Sequence, residues 1–451
     1  MPESKPFELY PDQKAVVTTE GSVFSRIYFR IFFLIFLFFL SSGGAWAESL
    51  PEVLRAWTSL LVKKHPALSA LSARIRAQEA RISPAGALPD PTLSFVVRNV
   101  GDPIPLNTLG EEAMSLTGVR IEQILPWKGK RQTRREIVAL EAEGLRVKYR
   151  ERIWELWKGL VKMTLELMYL EKEAEILREM EEVLLILAET ARAKYEAGEG
   201  IQADIFKAGT ERSLLKERLK RNAERLRVVR EGLIRRYLFT RISDLPEIEL
   251  PERLPPLPAR NLLISLLEES PGVSAYKLAL RKRQLFARLA SLERFPDIKV
   301  FAGWYSRGNL PDIYEFGVGF NLPIFISRKQ EPLVYAEKEE TFSAQRTLED
   351  VKAELRYRLE ESLAFAETEM ELVELYAGEI LPQAEADYRS AKYYYETGDL
   401  DFLNLLERFR HLLNYRLGLI RHQVNYLTAL AEVQALLGRE IIRDLPGPKG
   451  G

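Results

Sequence analysis

Three histidines and no cysteine are what a transition metal or a nucleophile could draw on in these 451 residues. His411 and His422 stand eleven positions apart, so on a helix they share a face but sit about 16 Å from each other, too far to hold one ion together. His65 precedes a proline at a helix break. Without cysteine there is no disulfide framework, thiolate metal site, sulfur nucleophile or N-terminal lipid anchor. Gly198-x-Gly200 and Gly317-x-Gly319 lack the strand-to-helix context that cradles phosphate. Acids and bases balance, 65 Asp+Glu against 65 Lys+Arg, and they interleave as solvated helix charges do. That balance argues against nucleic acid, whose phosphates demand a basic excess. No hydrolase, nucleotide or redox constellation is visible. The expectation is a protein that is not an enzyme, with no catalytic residue, no cofactor and no metal site.

The regular features are helical. Pro126 to Gly198 reads as one unbroken helix, about 105 Å long at 1.5 Å per residue. Pro126 is tolerated in a first turn, because its missing donor would be orphaned there anyway. Within the helix, Ile153, Trp157, Leu160, Thr164 and Leu167 form one apolar seam, and Trp154, Val161, Leu165 and Met168 another beside it. Two seams imply a neighbour on each side, as for a stave in a wall. Gly198 and Gly200 turn the chain, and a helix returns from about Ile201 to Tyr237. The design recurs from Pro323 to Gly398 and back from Leu400 to Leu437. Gly198 and Gly398 have a backbone reason for their places, a left-handed position between helices.

Residues 1–47 read as a cleaved export signal: Arg26 and Arg30, the apolar run Ile31–Leu40, then Ala45-Trp46-Ala47 as the cleavage site. About ten apolar residues are too few to cross a bilayer as a helix. Residues 48–240 form a first repeat, with a helix broken at His65-Pro66 and ended by Leu88-Pro89-Asp90-Pro91. Alternating strands follow at about 92–100 and 115–125, then a helical hairpin at about 127–238. Residues 241–260 form a Pro-rich linker. Residues 261–438 repeat the pattern, with strands at about 297–306 and 314–322 and a hairpin at about 326–437; 439–451 is a tail. The landmarks recur in order. Leu88-Pro89-Asp90 returns as Phe295-Pro296-Asp297, 207 residues on, and Ile124-Leu125-Pro126 as Asn321-Leu322-Pro323, 197 residues on. Tyr195-Glu196-Ala197-Gly198 returns 200 residues on as Tyr395-Glu396-Thr397-Gly398.

In the later strands, Ile298, Val300, Ala302 and Trp304 share a face, as do Tyr314, Phe316, Val318, Phe320 and Leu322. Opposite them stand glycines, charges and an amide. Lipid outside and water inside demand that contrast. Trp304, Tyr305 and Tyr314 sit near the Arg307–Asp312 loop, where an aromatic belt would meet the headgroups. Lipid tolerates no open strand edge, and four strands cannot close when known barrels begin at eight. Three chains would pool twelve; two or four would also close.

The order helix, Leu-Pro-Asp-Pro, strand, loop, strand, long helix, Tyr-x-x-Gly turn, return helix, all repeated, resembles the TolC family of outer-membrane efflux proteins. The resemblance covers the mature chain. It is carried by Leu88 to Leu93, by Gln123-Ile124-Leu125-Pro126 with Gly129-Lys130-Arg131, by Val318 to Phe325 and by Tyr395 to Leu406. It implies a mainly α fold with a transmembrane β-barrel: duplicated helical hairpins forming an α-barrel tunnel, and a homotrimer pooling four strands per chain into twelve. It further implies the outer membrane of a Gram-negative bacterium, a periplasmic adaptor and an inner-membrane pump of the RND type. The protein would be a passive exit duct for metal ions or small toxic compounds. The wording Leu125-Pro126-Trp127-Lys128-Gly129-Lys130-Arg131 is similar to members that serve heavy-metal exporters.

By the same resemblance, acids just after each helical turn narrow the periplasmic mouth. Register from the turn glycines carries these positions to Asp204, Asn404 and Glu407, with Asn404 departing from the family's aspartate. Tyr195, Gly198, Gly200, Tyr395 and Gly398 would form the turns and meet the adaptor. The rival readings are a soluble periplasmic scaffold or adaptor of helical hairpins and a periplasmic enzyme with a helical stalk. An adaptor would carry a single hairpin, and no catalytic cluster supports the enzyme.

Overall fold

Prolines and glycines punctuate the chain close to where the pattern places them. The structure is a computed structural model that describes residues 48–238, 245–246, 248–251 and 253–448. The expected export signal and part of the linker and tail lie outside those residues. Helix α1 (Leu50–Lys64) ends at His65, and α2 (Pro66–Ala80) begins on Pro66, with His65 Nδ1 accepting the Ala67 N–H at 3.2 Å. A short helix α3 (Ile82–Gly86) leads to Leu88-Pro89-Asp90-Pro91, which turns the chain into β1 (Thr92–Arg98) and then β2 (Leu116–Leu125). The long helix α4 (Lys130–Glu196) and its return α5 (Gln202–Gly232) close the first repeat. The second repeat has the same plan: α6 (Arg260–Leu267), α7 (Pro271–Leu292), β3 (Ile298–Arg307), β4 (Leu310–Phe320), α8 (Gln330–Leu375), α9 (Leu381–Thr397) and α10 (Phe402–Leu437). Ser270 caps α7 as His65 caps α2, its hydroxyl accepting the Val273 N–H.

The helix starts differ from expectation by a few residues. Residues Trp127 to Gly129 form a turn, with Gly129 left-handed, so α4 begins at Lys130. The second copy turns until Lys329. The fourth strand begins at Leu310 instead of 314, because Gly308-Asn309 makes a two-residue turn and Arg307 pairs with Leu310. A larger difference is that neither hairpin is uniformly α-helical. Leu233–Leu238 and Tyr376–Ile380 are π-helical. For the second, Pro382 lies just downstream; it lacks the amide that would bond one turn back, and widening the turn absorbs the defect. Each π turn drives a tyrosine against a glycine. A Cβ on Gly159 would run into Tyr237 Oη, and one on Gly418 would meet Tyr376 Cε1 at 2.7 Å.

Both expected seams of α4 are buried, and α5, α7 and α10 all pack on this helix. The main core joins α4 residues Trp157, Leu160 and Leu165 to Leu54 and Leu61 of α1 and Tyr426 and Leu430 of α10. A second core fills the hairpin ends from Leu177 to Phe409. The tail after α10 folds back on the first repeat: Trp157 Nε1 donates to Pro446 O at 2.9 Å, and the buried Gln434 amide serves Leu445 O, Ile441 N and Ile442 N.

The four main strands form one antiparallel sheet in the order β1-β2-β3-β4, so the repeats meet at β2–β3. A polar joint locks that seam to the helices. Lys130, 2 % exposed, places Nζ 2.9 Å from Asp297 Oδ1, 3.0 Å from Glu293 Oε2 and 3.0 Å from Phe295 O. Asp297 also accepts the Trp127 N–H, and the Trp127 ring stacks on Phe295 at 5.2 Å.

Candidate functional site

Two regions of this scaffold have surfaces that packing does not explain. The first is the sheet. Alternation places Leu93, Phe95 and Val97 of β1, Val119 and Ile121 of β2, Ala302 and Trp304 of β3, and Tyr314, Phe316 and Val318 of β4 on one face, paired across the strands. That face is open: Phe95 is 80 % and Phe316 78 % exposed. The other face carries Arg120, Glu122, Lys299 and Glu315. There Glu122 bonds both Arg120 and Lys299, and the Arg120 guanidinium lies 4.0 Å from the Phe301 ring centre. Thr117, Gln123 and Ser306 share the open face, and a predominantly apolar exposed face backed by ion pairs has the polarity of a barrel wall in lipid.

Of the three expected interface aromatics, Trp304 and Tyr314 lie on the apolar face, both open, and pair with each other across β3–β4. Trp304 Nε1 reaches Asp312 at 2.9 Å. Tyr305 is a correction. It is 6 % exposed on the opposite face and donates its hydroxyl to Glu315, because strand alternation sends adjacent residues to opposite sides.

The second region is the pair of helical turns. Gly198 and Gly398 both have positive φ, 79° and 90°. In each turn the next amide bonds back to the helix, Glu199 N to Lys194 O and Asp399 N to Tyr394 O, the Schellman arrangement that ends a helix on a left-handed glycine. The turns lie side by side and enclose a cleft of about 640 Å³ lined by Lys194, Gly200, Asp204, Lys207, Tyr395 and Asp401, among others. The two tyrosines differ. Tyr395 is 4 % exposed, packed on Phe402, with the Lys194 ammonium 4.3 Å from its ring centre and bonded to its carbonyl. Tyr195 is 44 % exposed.

The acids divide too. Burial first, then the charge of Asp401, pushes the Asp204 carboxyl above its ordinary value, while Lys207 pulls it down. Asp401 is held below the usual carboxylate range by the Asn404 backbone N–H and then the Asn404 side chain, 2.9 and 2.8 Å away. Asn404 therefore completes the cap of α10, and neither Asn404 nor Glu407 lines the cleft. Asp401, which the sequence reading passed over, is the acid that acts on Asp204. The Asp-x-x-Asn pattern at a helix start was the available sign.

No helix among the described residues is long and apolar enough to cross a membrane. The described residues include no group of three His, Asp or Glu side chains able to hold a metal. His422 Nδ1 instead pairs with the buried Glu369 carboxylate at 2.7 Å, and His411 packs near Tyr415.

Known proteins share this architecture. The outer membrane protein VceC from Vibrio cholerae superposes with a TM-score of 0.73 at 15% identity, over 86% of this chain and 96% of that one. The chain thus has the fold of the TolC-like outer-membrane channels. The MtrE outer membrane channel of Neisseria gonorrhoeae, in its open state, gives a TM-score of 0.71 at 17% identity over 86% and 89% of the two chains. In sequence, residues 262–439 match the family described as outer membrane efflux protein. The cobalt-zinc-cadmium resistance protein CzcC of Cupriavidus metallidurans is 28% identical over 196 residues, 42% of this chain. That match spans 45% of the relative's length.

Proposed function

We propose that the chain is the outer-membrane exit duct of a tripartite efflux system. Three copies would pool their sheets into a twelve-strand barrel in outer-membrane lipid, and their hairpins would continue as a periplasmic tunnel. The observation that carries this reading is the sheet: its exposed face is predominantly apolar on all four strands, and among the described residues β1 and β4 each have a free edge. The apolar face calls for lipid, and in lipid the unpaired backbone of both edges must be closed by further strands. Export would follow removal of residues 1–47. The exposed Ile201, Phe206 and Leu403 around the turns offer apolar contact to a periplasmic adaptor, which would join the duct to an inner-membrane pump of the RND type.

The protein would do no covalent chemistry. Substrate would pass the cleft at the turns, where Asp204, flanked by Asp401, presents negative charge three times over; Glu407, six residues beyond Asp401 on α10 and outside the cleft, would add to it. Rings of acid favour cations. Together with the name of the CzcC relative, this favours divalent metal ions as cargo, passing without a resident site. Single-channel recording in a planar bilayer tests the reading. The mature protein is expected to form cation-selective pores, and Asp204→Ala with Glu407→Ala is expected to raise conductance and lower selectivity. A mature chain that is soluble and monomeric without detergent refutes the duct. Pores unchanged by the double substitution refute only the acidic mouth.

A further inference from the structure

Five bases crowd the start of α4, Lys128, Lys130, Arg131, Arg134 and Arg135, and the fold divides them. Lys130 and Arg134 turn towards α7, where Glu293 takes both and Asp297 also takes Lys130. Arg131 and Arg135, each one position further on, face α3. There Arg131 Nε donates to Gly86 O at 2.9 Å, and a Cβ on Gly86 would meet Arg135 Cβ at 3.2 Å. The duplication supplies an internal comparison. Carried forward by the 207 residues that separate Leu88-Pro89-Asp90 from Phe295-Pro296-Asp297, Gly86 falls on Glu293. A glycine therefore stands where the second repeat keeps the carboxylate that serves two bases. Among the described residues no Asp or Glu pairs with Lys128, Arg131 or Arg135.

These three bases line a cleft of about 490 Å³ together with Gly86, Trp127 and Gln132, and no acid is on its wall. Uncompensated guanidinium and ammonium groups around such a space suit a phosphate, which arginine can hold through two N–H groups at once. The level of the cleft in the fold says which phosphate. From Thr117 to Leu125 the predominantly apolar face of β2 runs for about 27 Å, of the same order as the ~25 Å apolar band of a membrane barrel. Val119 pairs with Trp304 at one end. At the other, Leu125 gives way to Pro126 and the cleft, where the long helices leave the sheet. An aromatic ring beside bases at the end of an apolar band belongs among lipid headgroups. We infer that the cleft binds the headgroup phosphate of an anionic phospholipid in the periplasmic leaflet of the outer membrane, one lipid per chain. This rests on the duct proposed above. The lipid brings to α3 the negative charge that Glu293 brings to the other side of α4.

Native mass spectrometry of the detergent-solubilised mature protein, titrated with phosphatidylglycerol, phosphatidylethanolamine or inorganic phosphate, tests the site. The parent is expected to retain one phosphatidylglycerol per chain and to prefer it to phosphatidylethanolamine. Lys128→Gln with Arg135→Gln removes two bases that have no acidic partner in the chain. At about fivefold per base, phosphatidylglycerol should then bind about 25-fold more weakly, with the oligomer intact. Gly86→Glu copies the second repeat and keeps every base; its carboxylate should occupy the cleft and abolish the preference. A parent oligomer that does not prefer phosphatidylglycerol, or a preference that survives either variant, overturns the site and leaves the duct standing. Retention of inorganic phosphate without phosphatidylglycerol overturns the lipid as its occupant. A parent that is soluble and monomeric without detergent overturns both the site and the duct.

Discussion

Replacing Lys130 by methionine probes how the sheet is fastened to the helices. The ammonium is shielded from water and satisfies Asp297, Glu293 and the Phe295 carbonyl at 2.9 to 3.0 Å. Removing one partner of a fully buried ion pair costs about 3–5 kcal/mol. Here the carboxylates retain water, with side-chain exposures of 25 % for Asp297 and 39 % for Glu293. Asp297 also keeps the Trp127 N–H. The cost is therefore discounted to about 2–3 kcal/mol. The chain is too large for a single unfolding free energy to be well defined, so the assay should be local. Hydrogen exchange of the detergent-solubilised protein reads the Trp127 amide, which bonds to Asp297 directly. A loss of 2–3 kcal/mol corresponds to about 30- to 150-fold faster exchange. Asp297→Asn should accelerate the same amide, and the combined variant should lose less than the two separate losses added together. Exchange in Lys130→Met within about threefold of the parent would refute the claim that this joint carries the seam.

Charge placed on the apolar face should be costly where charge on the other is not: Phe95→Arg is expected to lose about 2–4 kcal/mol of stability in a bilayer if it lies near mid-depth, and Ser94→Arg much less. Refolding into vesicles reads the difference, and equal losses would mean that lipid does not cover the apolar side. At the turns, the signs are opposite for the two aspartates. Asp204 has a raised carboxyl, so its ionised form costs stability at neutral pH and that cost disappears as pH falls through the raised value. Asp204→Asn should therefore protect the 199–206 amides at pH 7 and have no effect once the parent carboxyl is protonated. Asp401 is depressed, so its contribution is present at neutral pH and is lost as pH falls through the depressed value. Asp401→Ala should cost about 1 kcal/mol at pH 7 and nothing at low pH, read from the 401–406 amides.

Much of the architecture was legible because it depends on local chemistry. Pro66, Pro91, Gly198 and Gly398 force breaks wherever they stand, and the seams of α4 follow from spacing alone. The duplication supplied a second reading of every element. What could not be read depends on which groups meet in space. The π turn at Tyr376–Ile380 follows from Pro382, yet where a helix absorbs a proline is decided by the neighbour that makes room, here Gly418. Tyr305 lies near the same turn as Trp304 and Tyr314, yet strand alternation puts it on the other face. At the turns, family register points to Asp204, Asn404 and Glu407; of these only Asp204 lines the cleft, and its acidic neighbour there is Asp401.

The two helical turns are the same backbone solution with unequal fastening, and the inequality assigns them different work. In the second repeat the return helix is capped by Asp401, Phe402 is buried beneath it, and Lys194 of the first repeat ties the Tyr395 carbonyl across. In the first repeat α5 starts on Ile201 with no side-chain cap, and Ile201 and Phe206 are exposed. The position three residues into each return helix differs accordingly. Asn404 is spent on its own cap, while Asp204, without that duty, keeps a carboxylate facing the cleft. The second turn is therefore the more firmly fastened of the two, and Asp204 of the first and Asp401 of the second both line the cleft between them. Burial first and then the charge of Asp401 raise the Asp204 carboxyl, so the residue that caps one return helix also bears on how readily the other turn ionises.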